Sequence, residues 1–120
     1  MTEFDVEGFK FCAAMAEQSR ETLQIARDHG WEDPNQNDGE LICLMHSELS
    51  ELSEALEALR HGNPPSEHIP EFSGVEEELA DVVIRIMNYA ANKGHRLPEA
   101  ILAKKEFNRN RPYRHGGKAF

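Results

Sequence analysis

Cysteine is scarce in this 120-residue chain: Cys12 and Cys43 are the only two. Two thiols cannot build a disulfide framework. Both lie in stretches that read as helical and apolar, so they are expected as buried free thiols, which points to a reducing compartment. Long apolar runs are missing too, and none approaches the ~20 residues that a membrane span needs. The opening MTEFDVEGF lacks the basic and apolar regions of a signal peptide. The expectation is a cytoplasmic protein with no membrane partner. Strand-like alternation of apolar and polar residues is absent as well, which leaves an all-α reading. No internal repeat is visible beyond two short acidic phrases.

Positive charge is scarce over most of the chain. The formal net charge is −9, but it is unevenly spread. The first 103 residues hold 7 basic and 21 acidic residues, whereas residues 104–120 hold Lys104, Lys105, Arg109, Arg111, Arg114 and Lys118 against Glu106 alone. Such a surface repels a nucleic-acid polymer. A small phosphorylated ligand could still sit between an acidic, metal-loaded body and a basic end.

Four helices account for nearly all of the sequence, and a single domain suits the length. The first is expected from Asp5 to His29, with Phe9, Cys12, Ala13, Ala16, Leu23 and Ala26 inward and Gly30 as its stop. A polar loop, WEDPNQN, carries the lone tryptophan, Trp31. Asp38 is the expected cap of the second helix, about Gly39 to His61, which Gly62-Asn63-Pro64-Pro65 terminates. Ser73 and Glu76 have the spacing of a capping box and open the third helix, ending near Lys93-Gly94. The fourth starts at Leu97-Pro98-Glu99, with proline in its first turn, and stops at Arg111-Pro112. Residues 113–120, YRHGGKAF, read as a basic, glycine-containing tail.

The two acidic phrases are Glu48-Leu49-Ser50-Glu51 and Glu78-Leu79-Ala80-Asp81. Each spaces its carboxylates i, i+3, so both project from nearly one side of a helix. On a wheel of the second helix, Leu44, Met45, Leu52, Ala55, Leu56 and Leu59 cluster around Leu41. Glu48 falls at about 340°, inside that stripe, and Glu51 at about 280°, on its flank. An inward glutamate among leucines is costly unless paired or metal-bound. On the third helix, Val75, Leu79, Val82, Val83, Ile86 and Ala90 form the stripe, with Glu78, Asp81 and Arg85 as a polar seam beside it. Ile84 falls on the far side. A helix covered on two faces implies self-association in so small a protein. Glu54, Glu57, Glu76 and Glu77 read as solvated surface, and His46, His61 and His68 likewise. Spacing alone leaves two readings open: a four-carboxylate metal cage, or ordinary acidic helix surface in which Asp81 and Arg85 form an i, i+4 ion pair.

These phrases resemble the MazG-like all-α nucleoside triphosphate pyrophosphohydrolases, among them the short dCTP pyrophosphatase-like members. SELSELSEAL and EEELADVVIRI match the E-x-x-E and E-x-x-D motifs, and LPEAILAKKEFNRNRP matches the fourth-helix phrase. The resemblance runs from about Trp31 to Pro112 and makes residues 1–112 one such domain. It implies a four-helix, bundle-like fold assembled as a dimer or tetramer. It also implies cleavage of (d)NTP to (d)NMP and pyrophosphate. Glu48, Glu51, Glu78 and Asp81 fall on magnesium ligands, and Lys104, Asn108 and Arg111 on phosphate-binding positions. Trp31 resembles an aromatic that packs on the base. Many members carry two adjacent glutamates at the first motif, whereas Ser47 precedes Glu48 here.

All-oxygen ligands suit Mg²⁺, with Mn²⁺ as a substitute, and no helical H-x-x-x-H pair accompanies the acids to suggest zinc. Glu51, ahead of Glu48, is the expected base for the attacking water. Two rivals stand beside this reading: a phosphoribosyl-ATP pyrophosphohydrolase, and a non-catalytic nucleotide-binding helical regulator.

Overall fold

The structure is a computed structural model that describes residues 5–113. Most of the expected basic, glycine-containing tail, including Arg114, His115 and Lys118, lies outside the described residues. Four α-helices follow one another: α1 (Val6–Asp28), α2 (Asp38–Leu59), α3 (Gly74–Lys93) and α4 (Leu97–Arg109). Among the described residues there is no strand, only an isolated antiparallel bridge between Pro65 and Ser73. Among the described residues no helix is long and apolar enough to cross a membrane.

Local chemistry accounts for the helix ends. Asp5 caps α1 by accepting from the N–H groups of Glu7 and Gly8. At α2 the cap is Asn37 rather than Asp38. Asn37 has extended backbone and its Oδ1 accepts from Glu40 N at 2.9 Å, which makes Asp38 the first helical residue, where its charge favours the positive helix end. The Ser73–Glu76 capping box is formed in both directions. Gly94 closes α3 at φ 74°, a left-handed conformation that glycine adopts without strain. α4 ends at Asn110, slightly before the expected stop.

Packing is serial rather than all-round: α2 lies on α3, α3 on α1, and α1 on α4. The buried apolar residues are Leu23, Ala26, Leu41, Met87 and Ala90. The radius of gyration is 17.0 Å, against about 14 Å for a compact chain of this length. An open groove of 1610 Å³ separates α1, the end of α3 and α4, with Cys12, Tyr89, Leu97 and Phe107 on its walls.

Several inward assignments are therefore corrected. Leu56, Leu59, Leu79 and Val83 are exposed, as are Phe9 and Ala13, while Ile84 is half-buried. The wheel found apolar stripes correctly but could not know that α4 would pack on α1 and leave part of the α2–α3 faces bare. Cys12 is half-buried and Cys43 exposed; both are free thiols, but neither is a core residue.

Two loops are pinned to α3. Glu32, buried on the loop after α1, accepts from Asn92 Nδ2 at 3.0 Å, and Arg27 Nη2 donates to Asn92 Oδ1. Lys93 Nζ donates to the carbonyl of Gln36 at 2.7 Å. On the α2–α3 loop, Ser66 Oγ accepts from the N–H groups of His68 and Ile69 and donates to Glu77 Oε1.

Candidate metal centre

The packing of α2 on α3 brings both acidic phrases together. One oxygen from each of Glu48, Glu51, Glu78 and Asp81 lies within 4.8 Å of the others. Glu48, Glu78 and Asp81 are half-buried, and Glu51 is exposed. The i, i+3 spacing stacks each pair on one helix face, and the helix–helix contact makes the two faces meet. The four carboxylates thus converge, which is the arrangement that the cage reading requires. The rival ion pair takes a different form: Arg85 Nε donates to Glu48 Oε1 at 3.2 Å, across the helix interface rather than along α3.

Electrostatics in the cluster follow from crowding. The Glu78 carboxyl is pushed up to about 7, first by burial and then by Asp81, Glu51, Glu77 and Glu48. Asp81 is raised by burial and by Glu48 and Glu77, and Arg85 partly offsets this. Glu51 is raised mainly by its hydrogen bond with Glu48 and by the charge of that group. Glu51, Glu78 and Asp81 therefore resist ionising together, and a cation among them would relieve that opposition.

Glu48 Oε2 and Glu78 Oε2 are buried and have no hydrogen-bond partner. A buried carboxylate oxygen left unpaired costs several kcal/mol unless neutralised. Coordination would satisfy both atoms at once. The donor set is purely carboxylate oxygen, which suits a hard divalent ion, so these residues could hold a metal.

Other sequence-predicted residues stand elsewhere. Lys104 Nζ lies 4.4 Å and the Arg111 guanidinium 5.7 Å from the centre of the exposed Phe107 ring. Asn108 is on the same exposed end of α4, the helix that packs on α1. Lys104 and Arg111 thus group around Phe107, and none of the three belongs to the four-acid cluster. Trp31 is 59% exposed and stacks on His29, with ring centres 4.6 Å apart.

Sequence reasoning missed the support beside the cage. Glu77, expected as solvated surface, is half-buried and held by Ser66 Oγ and by His68 Nδ1 at 2.8 Å. These two hydrogen bonds lower the Glu77 carboxyl. His68 is exposed as expected, yet engaged. The available signal was spacing: Glu77 precedes Asp81 by four residues and so shares its helix face.

Among known proteins, the chain is 34% identical over 90 residues to dCTP pyrophosphatase 1 from Homo sapiens, an alignment covering 73% of this chain and 52% of the human protein. The chain thus spans about half the length of that relative. No protein-family model matches the chain, and no solved structure matches it.

Proposed function

We propose that this chain, which belongs to the MazG-like, dCTP pyrophosphatase-related family, is a Mg²⁺-dependent nucleotide pyrophosphohydrolase that cleaves (d)NTP to (d)NMP and pyrophosphate. The observation that carries the reading is the four-carboxylate cluster, with its ligand oxygens within 4.8 Å and two buried oxygens unpartnered. Glu48, Glu51, Glu78 and Asp81 would hold the magnesium, for which manganese is a chemical substitute. When bound, the ion supplies charge neutralisation for triphosphate oxygens and acidifies a water.

The protein's own groups do the rest. Glu51 is the most exposed of the four acids, so it can reach an attacking water and take its proton on a carboxylate oxygen. Its raised affinity for protons, caused by Glu48, suits that task. Glu48 keeps its place through Arg85 and is the second candidate for this role. Lys104, Asn108 and Arg111 are assigned to the phosphates, where fixed cations steady the departing pyrophosphate. Trp31 is assigned to the base. Self-association as a dimer or tetramer fits the bare faces of α2 and α3, on which Leu49, Leu56, Leu79 and Val83 are each 47–49% exposed. Two free thiols favour the cytoplasm as the setting.

The test is a panel of ribo- and deoxynucleoside triphosphates and phosphoribosyl-ATP, with pyrophosphate detection in Mg²⁺ or Mn²⁺. Release from at least one nucleoside triphosphate is expected, and Asp81→Asn should lower kcat by about 100-fold or more while the fold persists. Turnover of phosphoribosyl-ATP alone would assign the sister activity. Nucleotide binding without any product would make the chain a regulator and end the enzyme reading.

A further inference from the structure

Among the described residues, Arg85 differs from Lys10, Arg60 and Arg109 in the kind of ion pair it forms. The pairs Lys10–Glu7, Arg60–Glu57 and Arg109–Glu106 are exposed and local, three residues apart on one helix. Such contacts contribute little. Arg85 instead bridges α3 to α2, and its side chain and that of Glu48 are 25% and 13% exposed. It sits one helical turn past Asp81 and takes one oxygen of Glu48, while the other oxygen of Glu48 is buried and unpartnered. One carboxylate therefore both pairs with a resident cation and belongs to the set of four that a metal would use.

We propose that Arg85 is the built-in counterion of the carboxylate cluster before a metal enters and a phosphate-binding residue afterwards. This rests on the function proposed above. Before loading, one guanidinium offsets part of the charge of four acids and keeps α2 and α3 from repelling each other. With a divalent ion held by Glu48, Glu51, Glu78 and Asp81, the Arg85 guanidinium would no longer be needed to neutralise them. Arg85, adjoining the four acids through Glu48, would then be available to a phosphate oxygen of the substrate. Only one of five N–H donors is engaged with Glu48 in this structure, and the planar fork matches a phosphate well. In this proposal Arg85 competes with the ion and cooperates with the substrate.

A structural strut and a charge-transfer group differ in sign. Removing a strut loosens the site and weakens every ligand. Removing a competing counterion tightens the metal and weakens the phosphate. Calorimetry on the full chain with Mg²⁺ alone, and with inorganic pyrophosphate at saturating Mg²⁺, reads both. For Arg85→Met the expected result is Mg²⁺ binding at least about threefold tighter, because a like charge near the ion is gone. Pyrophosphate binding should fall about tenfold or more. Arg85→Gln keeps a hydrogen-bonding amide near Glu48 without the charge, and gives the same two readouts should the methionine variant misfold. Weaker Mg²⁺ binding, or unchanged pyrophosphate affinity, in a folded variant overturns the proposal. Neither measurement needs turnover, so a failed nucleotide panel and a failed Arg85 assignment are told apart.

Discussion

Replacing Glu78 by glutamine should make the metal-free protein more stable while weakening its hold on metal. Glu78 is raised from about 4.5 to about 7 by burial and by four neighbouring acids. At pH 8 it is ionised against that opposition. A shift of this size corresponds to about 3 kcal/mol. The cage is half-open, so solvent and salt reduce this to about 1–2 kcal/mol. Glutamine keeps the shape and removes the charge. Because the folded-state value lies above the unfolded one, the native chain binds more protons between pH 4.5 and 7, and its stability falls as pH rises through that window. The variant lacks this decline from Glu78. It should therefore match the wild type below about pH 4.5 and exceed it by about 1–2 kcal/mol at pH 8, or about 4–10 °C in Tm. Thermal melts followed by circular dichroism in EDTA, at pH 5 and pH 8, test this. Saturating Mg²⁺ at 100 times its Kd should add about 2.7 kcal/mol to the wild type, and much less to the variant, so the order of the two melts reverses. If Glu78→Gln is less stable than wild type at pH 8 in EDTA, the account of a repulsive, metal-seeking cage fails.

The α2–α3 loop and the bare helix faces give further predictions. Ser66→Ala removes the hydroxyl that joins the His68 and Ile69 N–H groups to Glu77, and should cost about 1–3 kcal/mol in urea unfolding. His68 is raised above its ordinary 6.5 by Glu77. Its contribution is thus present at acid pH and lost as pH rises through the elevated value, so His68→Ala should destabilise more at pH 5.5 than at pH 9. An equal effect at both pH values would refute the pairing. Leu49→Glu places a charge on the bare face of α2, and the proposed dimer or tetramer should then sediment as a monomer. An unchanged mass would refute the use of this face in self-association.

Much of this protein is determined by short-range rules that a sequence displays. Helix starts depend on side chains that reach two or three residues ahead, so Asp5, Ser73 and Pro98 were readable, and the cap of α2 was misplaced by one residue only. The i, i+3 spacing of Glu48 with Glu51 and of Glu78 with Asp81 likewise follows from 3.6 residues per turn. What periodicity cannot supply is the identity of the neighbour. Leu79 and Val83 have the spacing of a buried stripe, yet they are bare because α4 chose α1. Arg85 could have paired with Asp81 along its own helix, yet the crossing of α2 over α3 offered Glu48. Glu77 looked like solvated charge until the loop from Ser66 to Phe72 folded over it. In each case a side chain with one local role available was given another by a contact between residues distant in sequence. Only the tertiary packing turned two ordinary acidic phrases into one cluster.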